Sequence, residues 1–250
     1  MTPDPLPITV IVPCRNEAQN LELLLPQLVG MAAEVIVVDG HSTDGTPELV
    51  GRFPFRYVRD NGRGKGDGVR VGIAEARTGV CVLIDADMSH DPGDIPGLVR
   101  PILDGEADLV LGSRMRGGGD EFVATFMELV RLAGNMGLTW LINLRCGARL
   151  SDSQNGYRAA RTSLLRALDL SAVRHTIELE MTMRALRAGA RVAEHPTHEY
   201  PRRFGRSSLS VTRQGLLFLG VFLRECVRPL RSTWTAPEPQ AARVVGEVGG

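Results

Sequence analysis

Two aspartates separated by one alanine, Asp85 and Asp87, follow an apolar run in the stretch LIDADMSHDP at residues 83–92. VCVLI at 80–84 has the composition of a buried strand, so Asp85 stands where that strand leaves the core. Ligands of open parallel sheets bind outside the carboxyl ends of the strands. Neighbouring carboxylates repel each other unless a cation lies between them, and a divalent metal is the simplest such cation. The alternative is an ordinary turn, in which Asp87 or Asp91 caps a helix.

The segments that must position these aspartates alternate between two patterns over the first 113 residues. Apolar strand patterns occur at 8–13, 35–39, 55–59, 80–85 and 107–113, and helical patterns occur at 17–31, 46–50, 68–77 and 95–103. Strands that alternate with helices predict βαβ units and a parallel sheet. Because the strands are apolar without polar alternation, we expect the sheet to be covered on both faces. Pro26 is expected to kink or shorten the first helix.

The second half of the chain has mainly helical patterns. Helical patterns cover 122–144, 163–170 and 177–189, and one more strand is predicted within 190–200. The tail at 232–250 is rich in Pro and Gly, which predicts disorder. We therefore expect one domain over residues 1–231, with a ligand-binding half at 1–120 and a second half at 121–231.

Charge is balanced overall but unevenly distributed. The 250 residues contain 29 basic and 29 acidic side chains, so the formal net charge is zero, which argues against a general nucleic-acid binder. Residues 1–120 hold 11 basic and 18 acidic side chains, and residues 121–231 hold 17 basic and 9 acidic ones. An acidic half that could hold a metal thus joins a basic half that could hold an anion.

Cysteine usage and hydropathy bear on the compartment. The four cysteines are scattered without metal-ligand spacing, which favours free thiols in a reducing compartment: Cys14, Cys81, Cys146 and Cys226. The first 13 residues lack the pattern of a signal peptide. The apolar run at 215–223 is far shorter than the roughly 20 residues that a membrane span needs. We expect a cytoplasmic protein.

Five polar motifs follow five successive strands. They are VPCRNE at 12–17, VDGHSTDGT at 38–46, GRGKGDGVR at 62–70, DADMSHDP at 85–92 and LGSR at 111–114. Parallel strands bring their carboxyl ends to one edge of a sheet, so these motifs can meet in one crevice. Five polar motifs at five strand ends are hard to reach by chance, and they predict a binding site there.

These motifs, followed by DSQNGYRA at 152–159, ELEM at 178–181 and RRFGRSSL at 202–209, resemble the family 2 glycosyltransferases of GT-A fold. Within that family the sequence is most similar to dolichol- or polyprenyl-phosphate mannosyl- and glucosyltransferases, over about residues 8–210. The resemblance implies a Rossmann-like, mainly parallel α/β sheet with helices on both faces and a helical acceptor half. It also implies a nucleotide diphosphate sugar such as GDP-mannose or UDP-glucose, a Mg²⁺ or Mn²⁺ ion, and transfer of a hexose with inversion.

The resemblance assigns the donor side of the site. Asp85 and Asp87 would hold the metal, with Ser89 as a weaker ligand. The residues implied to bind the nucleotide sugar are Pro13, Arg15, Glu17, Asp39, Lys65, Asp85, Asp87 and Arg202. Arg15 stands where the family commonly has an aromatic residue, and Gly40 replaces the second aspartate of an Asp-Asp-Gly-Ser motif. Because of these two departures, the motifs do not identify the nucleobase of the donor. Lys65 is either a ligand of the diphosphate or a solvated loop lysine.

The acceptor side decides the subclass. A phosphate monoester is already ionised near neutral pH and needs cations that orient it, whereas a hydroxyl acceptor needs a general base. By the family pattern the acceptor phosphate meets Arg114, Arg131, Asn135 and Ser207, and the catalytic residues are Asp87, Arg114, Arg131, Arg202 and Glu180. Arg202 would bridge the donor diphosphate or the acceptor. Glu178 and Glu180 could serve as a base or orient the acceptor arginines, or they could be charges favoured at a helix start.

A polyprenyl phosphate acceptor requires contact with a membrane. Residues 208–231 place a short apolar run between arginines, a pattern suited to a membrane interface or to a membrane partner protein. The same segment could instead cover the core of the domain. Three functions therefore remain: a transferase that glycosylates a polyprenyl phosphate, a transferase that acts on a hydroxyl, and a non-catalytic nucleotide-sugar-binding module. The paired aspartates and the arginines favour the first.

Overall fold

A seven-stranded mixed sheet forms the frame of this computed structural model, which describes residues 4–119, 126–205, 211–228 and 234–235. The strands are β1 Leu6–Cys14, β2 Ala32–Asp39, β3 Arg56–Arg59, β4 Val80–Leu83, β5 Leu109–Ser113, β6 Arg158–Arg161 and β7 Val192–Pro196. Their spatial order is β3-β2-β1-β4-β6-β5-β7, and only β6 runs antiparallel to its neighbours. The α/β class and the mainly parallel sheet predicted from the sequence are confirmed.

Helices lie on both faces of this sheet. They are α1 Ala18–Leu28, α2 Thr46–Val50, α3 Lys65–Glu75, α4 Ile95–Leu103, α5 Arg114–Gly117, α6 Phe126–Cys146, α7 Thr162–Ala167, α8 Ile177–Arg187 and α9 Val211–Val227. Successive residues of a strand point to opposite faces. Val10 and Val12 of β1 accordingly join one buried cluster, with α1 and α4, while Ile11 joins the other, with α3 and α8. This two-sided burial explains the unbroken apolar strands.

Strand β6 is the element that the sequence pattern missed. Its four residues, RAAR, begin and end with arginine, yet Arg158 is completely buried. The guanidinium donates to the backbone oxygens of Asn155 and Glu178 and to the hydroxyl of Thr182. Burying a charged group is tolerable when hydrogen bonds replace its water, so β6 pairs between β4 and β5 despite its composition.

Several predicted boundaries differ from the structure. Helix α1 ends at Leu28 rather than at residue 31, with Pro26 in its last turn. Helix α3 begins at Lys65, three residues earlier than expected, so the glycine-rich turn is shorter. Within the predicted tail, Trp234 donates its backbone N–H to the oxygen of Ala188 and packs on the core. Apart from residues 234–235, the tail lies outside the described residues.

Helices α6, α8 and α9 form a third apolar cluster around Ile142, Leu179, Met183 and Phe222. A buried ion pair between Arg184 of α8 and Glu225 of α9, with Nε and Oε2 3.0 Å apart, fixes the last helix. None of the helices in the described part of the chain is long and apolar enough to cross a membrane. All four cysteines are free thiols, as the sequence predicted.

Candidate active site

The ends of two central strands are joined by Arg202, which lies in the segment after β7. Its guanidinium pairs with the carboxylate of Glu17, beyond β1, and its Nε lies 3.5 Å from Oδ2 of Asp87, beyond β4. Burial raises the pKa of the Glu17 carboxyl, and Asn20 and Arg202 oppose that rise. Glu17, Asp87 and Arg202, which are far apart in the sequence, therefore lie together at the carboxyl edge of the sheet.

Lys65, the one lysine of the chain, occupies the second cationic position at this edge. Its Nζ lies 2.6 Å from Oδ1 of Asp85 and 2.8 Å from Oε1 of Glu178. Burial alone would lower the pKa of Lys65, but the two carboxylates raise it above its ordinary value. Burial likewise acts to raise the pKa of Asp85, and Lys65 reverses this so that the pKa is lowered. Lys65 is thus a structural counterion rather than a solvated loop lysine.

Gly156, in the DSQNGYRA motif, packs directly over this ion pair. A Cβ at position 156 would lie 2.7 Å from Oδ2 of Asp85 and 2.9 Å from Nζ of Lys65. Such distances exclude any side chain unless the pair moves. A glycine at this position therefore lets the backbone approach the charged groups closely.

Asp87 is oriented by its own turn and by one neighbour. Oδ1 accepts hydrogen bonds from the backbone N–H of Ser89 at 3.1 Å and from its hydroxyl at 2.7 Å. Ser89, predicted as a weaker metal ligand, donates its hydroxyl to the carboxylate of Asp87. Asp91 caps the next turn by accepting from the N–H of Gly93. Among the described residues, Oδ2 of Asp87 has only the long contact with Arg202, so it is the carboxylate oxygen best placed to receive a cation.

A metal at this edge would need ligands beyond the protein. Within the described ranges, no three His, Cys, Asp or Glu side chains surround a common point. Asp85 and Asp87 supply the oxygen donors that Mg²⁺ and Mn²⁺ prefer, but two carboxylates do not complete a shell of six. The donor set therefore fits an ion that arrives together with an anionic ligand and shares its oxygens.

The predicted nucleoside side lies at the ends of β1 and β2. Asp39 is buried, and its Oδ1 accepts hydrogen bonds from the N–H and hydroxyl of Ser42, while Oδ2 accepts one from Tyr57 at 2.6 Å. Both oxygens are thus occupied by the protein itself. Arg15 is exposed, and its side chain lies beside Gly40, where a Cβ would be 3.4 Å from that of Arg15. Pro13 is half-buried at the end of β1.

The predicted acceptor residues line a separate open pocket with an empty volume of about 550 Å³. Arg114, Arg131 and Asn135 all contribute to its wall, together with the apolar side chains of Leu132 and Met136. Arg131 and Asn135 stand one turn apart on α6, and Arg114 begins α5 directly after β5. The structure therefore brings the three together, while Ser207 lies outside the described residues.

Arg114 is held rigidly by the two acids of this pocket. Its Nε lies 2.5 Å from Oδ2 of Asp152, and its Nη1 lies 3.0 Å from Oε2 of Glu199. Burial acts to lower the pKa of Arg114, but Asp152 and Glu199 raise it, so the group stays charged. Asp152 contacts Arg114 through both carboxylate oxygens, and Glu199 contacts it through Oε2.

Glu180 is not brought to the cleft, contrary to the sequence prediction. Its carboxylate is fully buried, accepts from the N–H groups of Ser171 and Ala172, and pairs with Arg184 and Arg224. Residues two apart on a helix face different directions, so Glu178 instead faces Lys65. The sequence alone does not determine which of the two glutamates faces the cleft, because that depends on how α8 is rotated against the sheet.

The sheet order, the strand-end carboxylates and the arginine pocket define a glycosyltransferase of GT-A fold. The sequence profile described as Glycosyl transferase family 2 matches residues 9–168. The chain therefore belongs to glycosyltransferase family 2.

Relatives support this assignment over most of the chain. An undecaprenyl-phosphate mannosyltransferase of Micrococcus luteus is 34% identical over 235 residues, which cover 84% of this chain and 94% of that protein. An uncharacterized glycosyltransferase of Mycobacterium tuberculosis is 34% identical over 210 residues, covering 83% and 92% respectively.

A solved structure has the same fold. Glucosyl-3-phosphoglycerate synthase of Mycobacterium tuberculosis, in complex with Mn²⁺, UDP-glucose and phosphoglyceric acid, aligns with a TM-score of 0.69 and 26% identity. The alignment covers 89% of this chain and 80% of that one.

The Lys65→Met variant tests whether Lys65 neutralises the edge. Removing the cation leaves two partly buried carboxylates unpaired, so we expect the free energy of unfolding to fall by about 2–3 kcal/mol at pH 7.5. Without the cation, burial should raise the folded-state pKa of Asp85, so the deficit should shrink as the pH falls toward 5. Urea denaturation at both pH values measures this.

The Lys65→Arg variant, which keeps the positive charge, is the matched control and should lose less stability. A Lys65→Met deficit that stays constant between pH 7.5 and 5 would contradict the counterion role.

Proposed function

We propose that this chain transfers a hexose, mannose or glucose, with inversion from GDP-mannose or UDP-glucose to the phosphate of a polyprenyl or dolichyl phosphate. The observation that carries the acceptor class is the pocket of Arg114, Arg131 and Asn135, whose two acids are already paired with Arg114. Such a pocket suits a nucleophile that arrives ionised and needs orientation rather than deprotonation. The relative that glycosylates undecaprenyl phosphate supports the same acceptor.

On the donor side, Asp85 and Asp87 would hold Mg²⁺ or Mn²⁺. The bound ion supplies charge neutralisation for the departing diphosphate. The remaining work is done by side chains of this chain. Arg202, now paired with Glu17 and Asp87, is positioned to exchange these carboxylates for phosphate oxygens when the donor enters. Lys65 keeps Asp85 ionised and fixed in place.

A second candidate acceptor is a small phosphorylated molecule. The solved synthase of the same fold was crystallised with phosphoglyceric acid, and an arginine pocket would hold its phosphate equally well. A hydroxyl of that molecule would then be the nucleophile and would need a base. The engaged state of Asp152 and Glu199 favours the polyprenyl phosphate over this candidate.

The decisive experiment offers the purified protein labelled GDP-mannose or UDP-glucose with Mn²⁺ and one of three acceptors: polyprenyl phosphate, phosphoglycerate or buffer alone. We expect label in the lipid fraction only when lipid and metal are both present. Chelation by EDTA should abolish transfer. Asp87→Asn should lower it at least about 100-fold, because a charge-stabilising group is lost from the site.

Circular dichroism of Asp87→Asn should match that of the unaltered protein, since a strand-end carboxylate is not part of the core. Label in phosphoglycerate but not in lipid would replace the proposed acceptor with the second candidate. Full activity of Asp87→Asn in EDTA would reject the metal.

An arginine series separates an ionised phosphate from a hydroxyl acceptor. Loss of one charge-assisted phosphate contact that strengthens toward the transition state costs on the order of 2–4 kcal/mol, so Arg131→Ala and Arg202→Ala should slow turnover about 30- to 1,000-fold. Lysine at either position should rescue only partly, because an ammonium cannot make a bidentate contact. Glu178→Gln, which alters the glutamate of α8 that faces Lys65, should be milder, since no proton is removed. Turnover is measured from pH 6 to 9.

Arg149→Ala, at an exposed position just after α6, is the matched control and should leave turnover unchanged. A Glu178→Gln variant that is far slower than both arginine variants, with a residual rate that climbs steeply with pH, would favour a hydroxyl acceptor.

Peripheral membrane contact belongs to the same proposal. Helices α6 and α9 pack on each other and expose large apolar side chains, including Trp140 at 62% and Val227 at 83%. Leu132 and Met136, in the pocket wall, lie about two turns and one turn, respectively, before Trp140 on α6. A polyprenyl chain whose phosphate sits in the pocket could therefore leave along an apolar surface toward the bilayer.

Replacing two exposed leucines of α9, Leu216→Ser and Leu223→Ser, should weaken binding to vesicles that contain anionic lipid by at least about tenfold. The reason is that burial of each leucine in the interface contributes roughly 1.5–3 kcal/mol. Co-sedimentation measures the bound fraction. Leu103→Ser, an exposed leucine of α4, is the control and should bind normally. Equal binding of all three proteins would count against membrane contact through α9.

A further inference from the structure

The loop that carries Asp152 has no regular secondary structure, so its backbone needs hydrogen-bond partners from elsewhere in the chain. It connects α6 to β6 over residues 147–157. Buried N–H groups are costly to leave unpaired, and those of Ser151 and Asp152 both donate to Oε1 of Glu194, at 2.7 and 2.8 Å. Oε2 of Glu194 accepts from the hydroxyl of Ser151 at 2.9 Å. One side chain of β7 thus holds two successive residues of the loop.

Glu194 is itself fixed by the sheet. It lies in register with Leu111 of β5, and its side chain is only 2% exposed. A further contact joins it to α5, where Nε of Arg116 lies 3.3 Å from Oε2. Two N–H groups, a hydroxyl and a guanidinium replace the water that the buried carboxylate has lost. The sheet therefore sets where this carboxylate lies, and the carboxylate sets where the loop lies.

The loop in turn sets the position of Arg114. Asp152 contacts the guanidinium of Arg114 with both oxygens, at 2.5 and 3.0 Å, and its Oδ2 also accepts the backbone N–H of Arg114 at 3.3 Å. Such a bidentate contact fixes the plane of the guanidinium as well as its distance. A displacement of the Asp152 backbone would therefore shift or rotate an arginine that lines the acceptor pocket.

Residues on either side of Arg114 are held by the same arrangement. The hydroxyl groups of Ser113 and Ser151 lie 2.7 Å apart, and Ser113 directly precedes Arg114. Arg116, two residues after Arg114, pairs with Glu194. Glu194 is thus connected to Arg114 both through the loop and through α5.

We propose that Glu194 is a positioning residue for the acceptor: it holds Asp152, and through it Arg114, where the guanidinium meets the acceptor's phosphate. This inference rests on the proposed function and deepens it, since it names what keeps that phosphate contact in place. The reach of Glu194 should matter more than its charge, because a negative charge near an anionic acceptor weakens binding rather than strengthening it.

Two substitutions separate reach from charge. Glu194→Gln keeps an oxygen at the same distance for the two N–H groups and removes the negative charge, so it should retain most of the acceptor affinity. Glu194→Asp keeps the charge, but its side chain is one methylene shorter and cannot reach both N–H groups. We expect Glu194→Asp to bind the acceptor roughly 10- to 100-fold more weakly, the range for loss of one hydrogen bond to a charged group.

Isothermal titration with geranyl phosphate, a water-soluble isoprenyl phosphate, measures acceptor binding, and titration with phosphoglycerate covers the second candidate acceptor. UDP and GDP are titrated with Mn²⁺ into the same preparations. The nucleotide affinities should be unchanged in both variants, because Glu194 acts on the acceptor side. A general loss of structure would weaken nucleotide and acceptor together, so the ratio of the two affinities within one protein reports positioning.

Asp108→Asn is the matched control. Asp108 is also buried, accepts the backbone N–H of Arg191 at 3.0 Å and pairs with Arg161 and Arg191, but it lies directly before the amino end of β5. Because a buried ion pair is broken, this variant should lose stability toward urea. Its acceptor affinity should equal that of the unaltered protein.

Three results would overturn the proposal. They are unchanged acceptor binding by Glu194→Asp, acceptor binding by Glu194→Gln as weak as that by Glu194→Asp, and an equal loss of acceptor affinity in Asp108→Asn. Each would remove only this inference and leave the proposed function intact. Weakening by Glu194→Asp that is seen with phosphoglycerate alone would support the positioning role and reject the polyprenyl acceptor. If the unaltered protein bound neither phosphate, the proposed acceptor pocket and this inference would both fail.

Discussion

Concentration of negative charge at the carboxyl edge of the sheet is the constraint on which the site depends. Four carboxylates meet there, and two cations, Lys65 and Arg202, each bridge two of them. Unpaired charges about 4 Å apart interact by roughly 4 kcal/mol near a protein surface, so this edge could not hold its geometry without them. In the proposed reaction a diphosphate adds further negative charge to an edge where the four carboxylates already outnumber the two cations. A metal that accompanies the nucleotide therefore follows from the same constraint.

The two cations differ in how they are held. Lys65 lies at the start of α3 and is enclosed by Asp85, Glu178 and the backbone of Gly156, so it is a fixed part of the frame. Arg202 lies in a loop after β7 and reaches across to the ends of β1 and β4. A guanidinium on a loop can change partners, whereas an enclosed ammonium cannot do so without disturbing α8. The site thus combines a permanent counterion with an exchangeable one.

The sequence predicts the frame of the fold better than the fine structure of the site. Unbroken apolar runs identify the strands before and after Asp85 in the chain, because a strand that is buried on both faces of a sheet is apolar along its whole length. Strand β6 leaves none, since the partners of Arg158 come from α8 and from the preceding loop. Which glutamate of ELEM faces the cleft depends on how α8 is rotated. The sequence pattern favoured Glu180, whereas the structure places Glu178 there.

The placement of β6 has a consequence for how the chain folds. β6 comes from residues 158–161 but pairs between β4 and β5, which end before residue 114. Until the later segment is in place, β4 and β5 each present an unpaired edge. Contacts between segments so far apart in the chain are slow to form, because a long loop must close before they stabilise anything. The amino-terminal half therefore cannot complete its sheet alone during synthesis, and the frame of the donor site is assembled only with the segment that follows it.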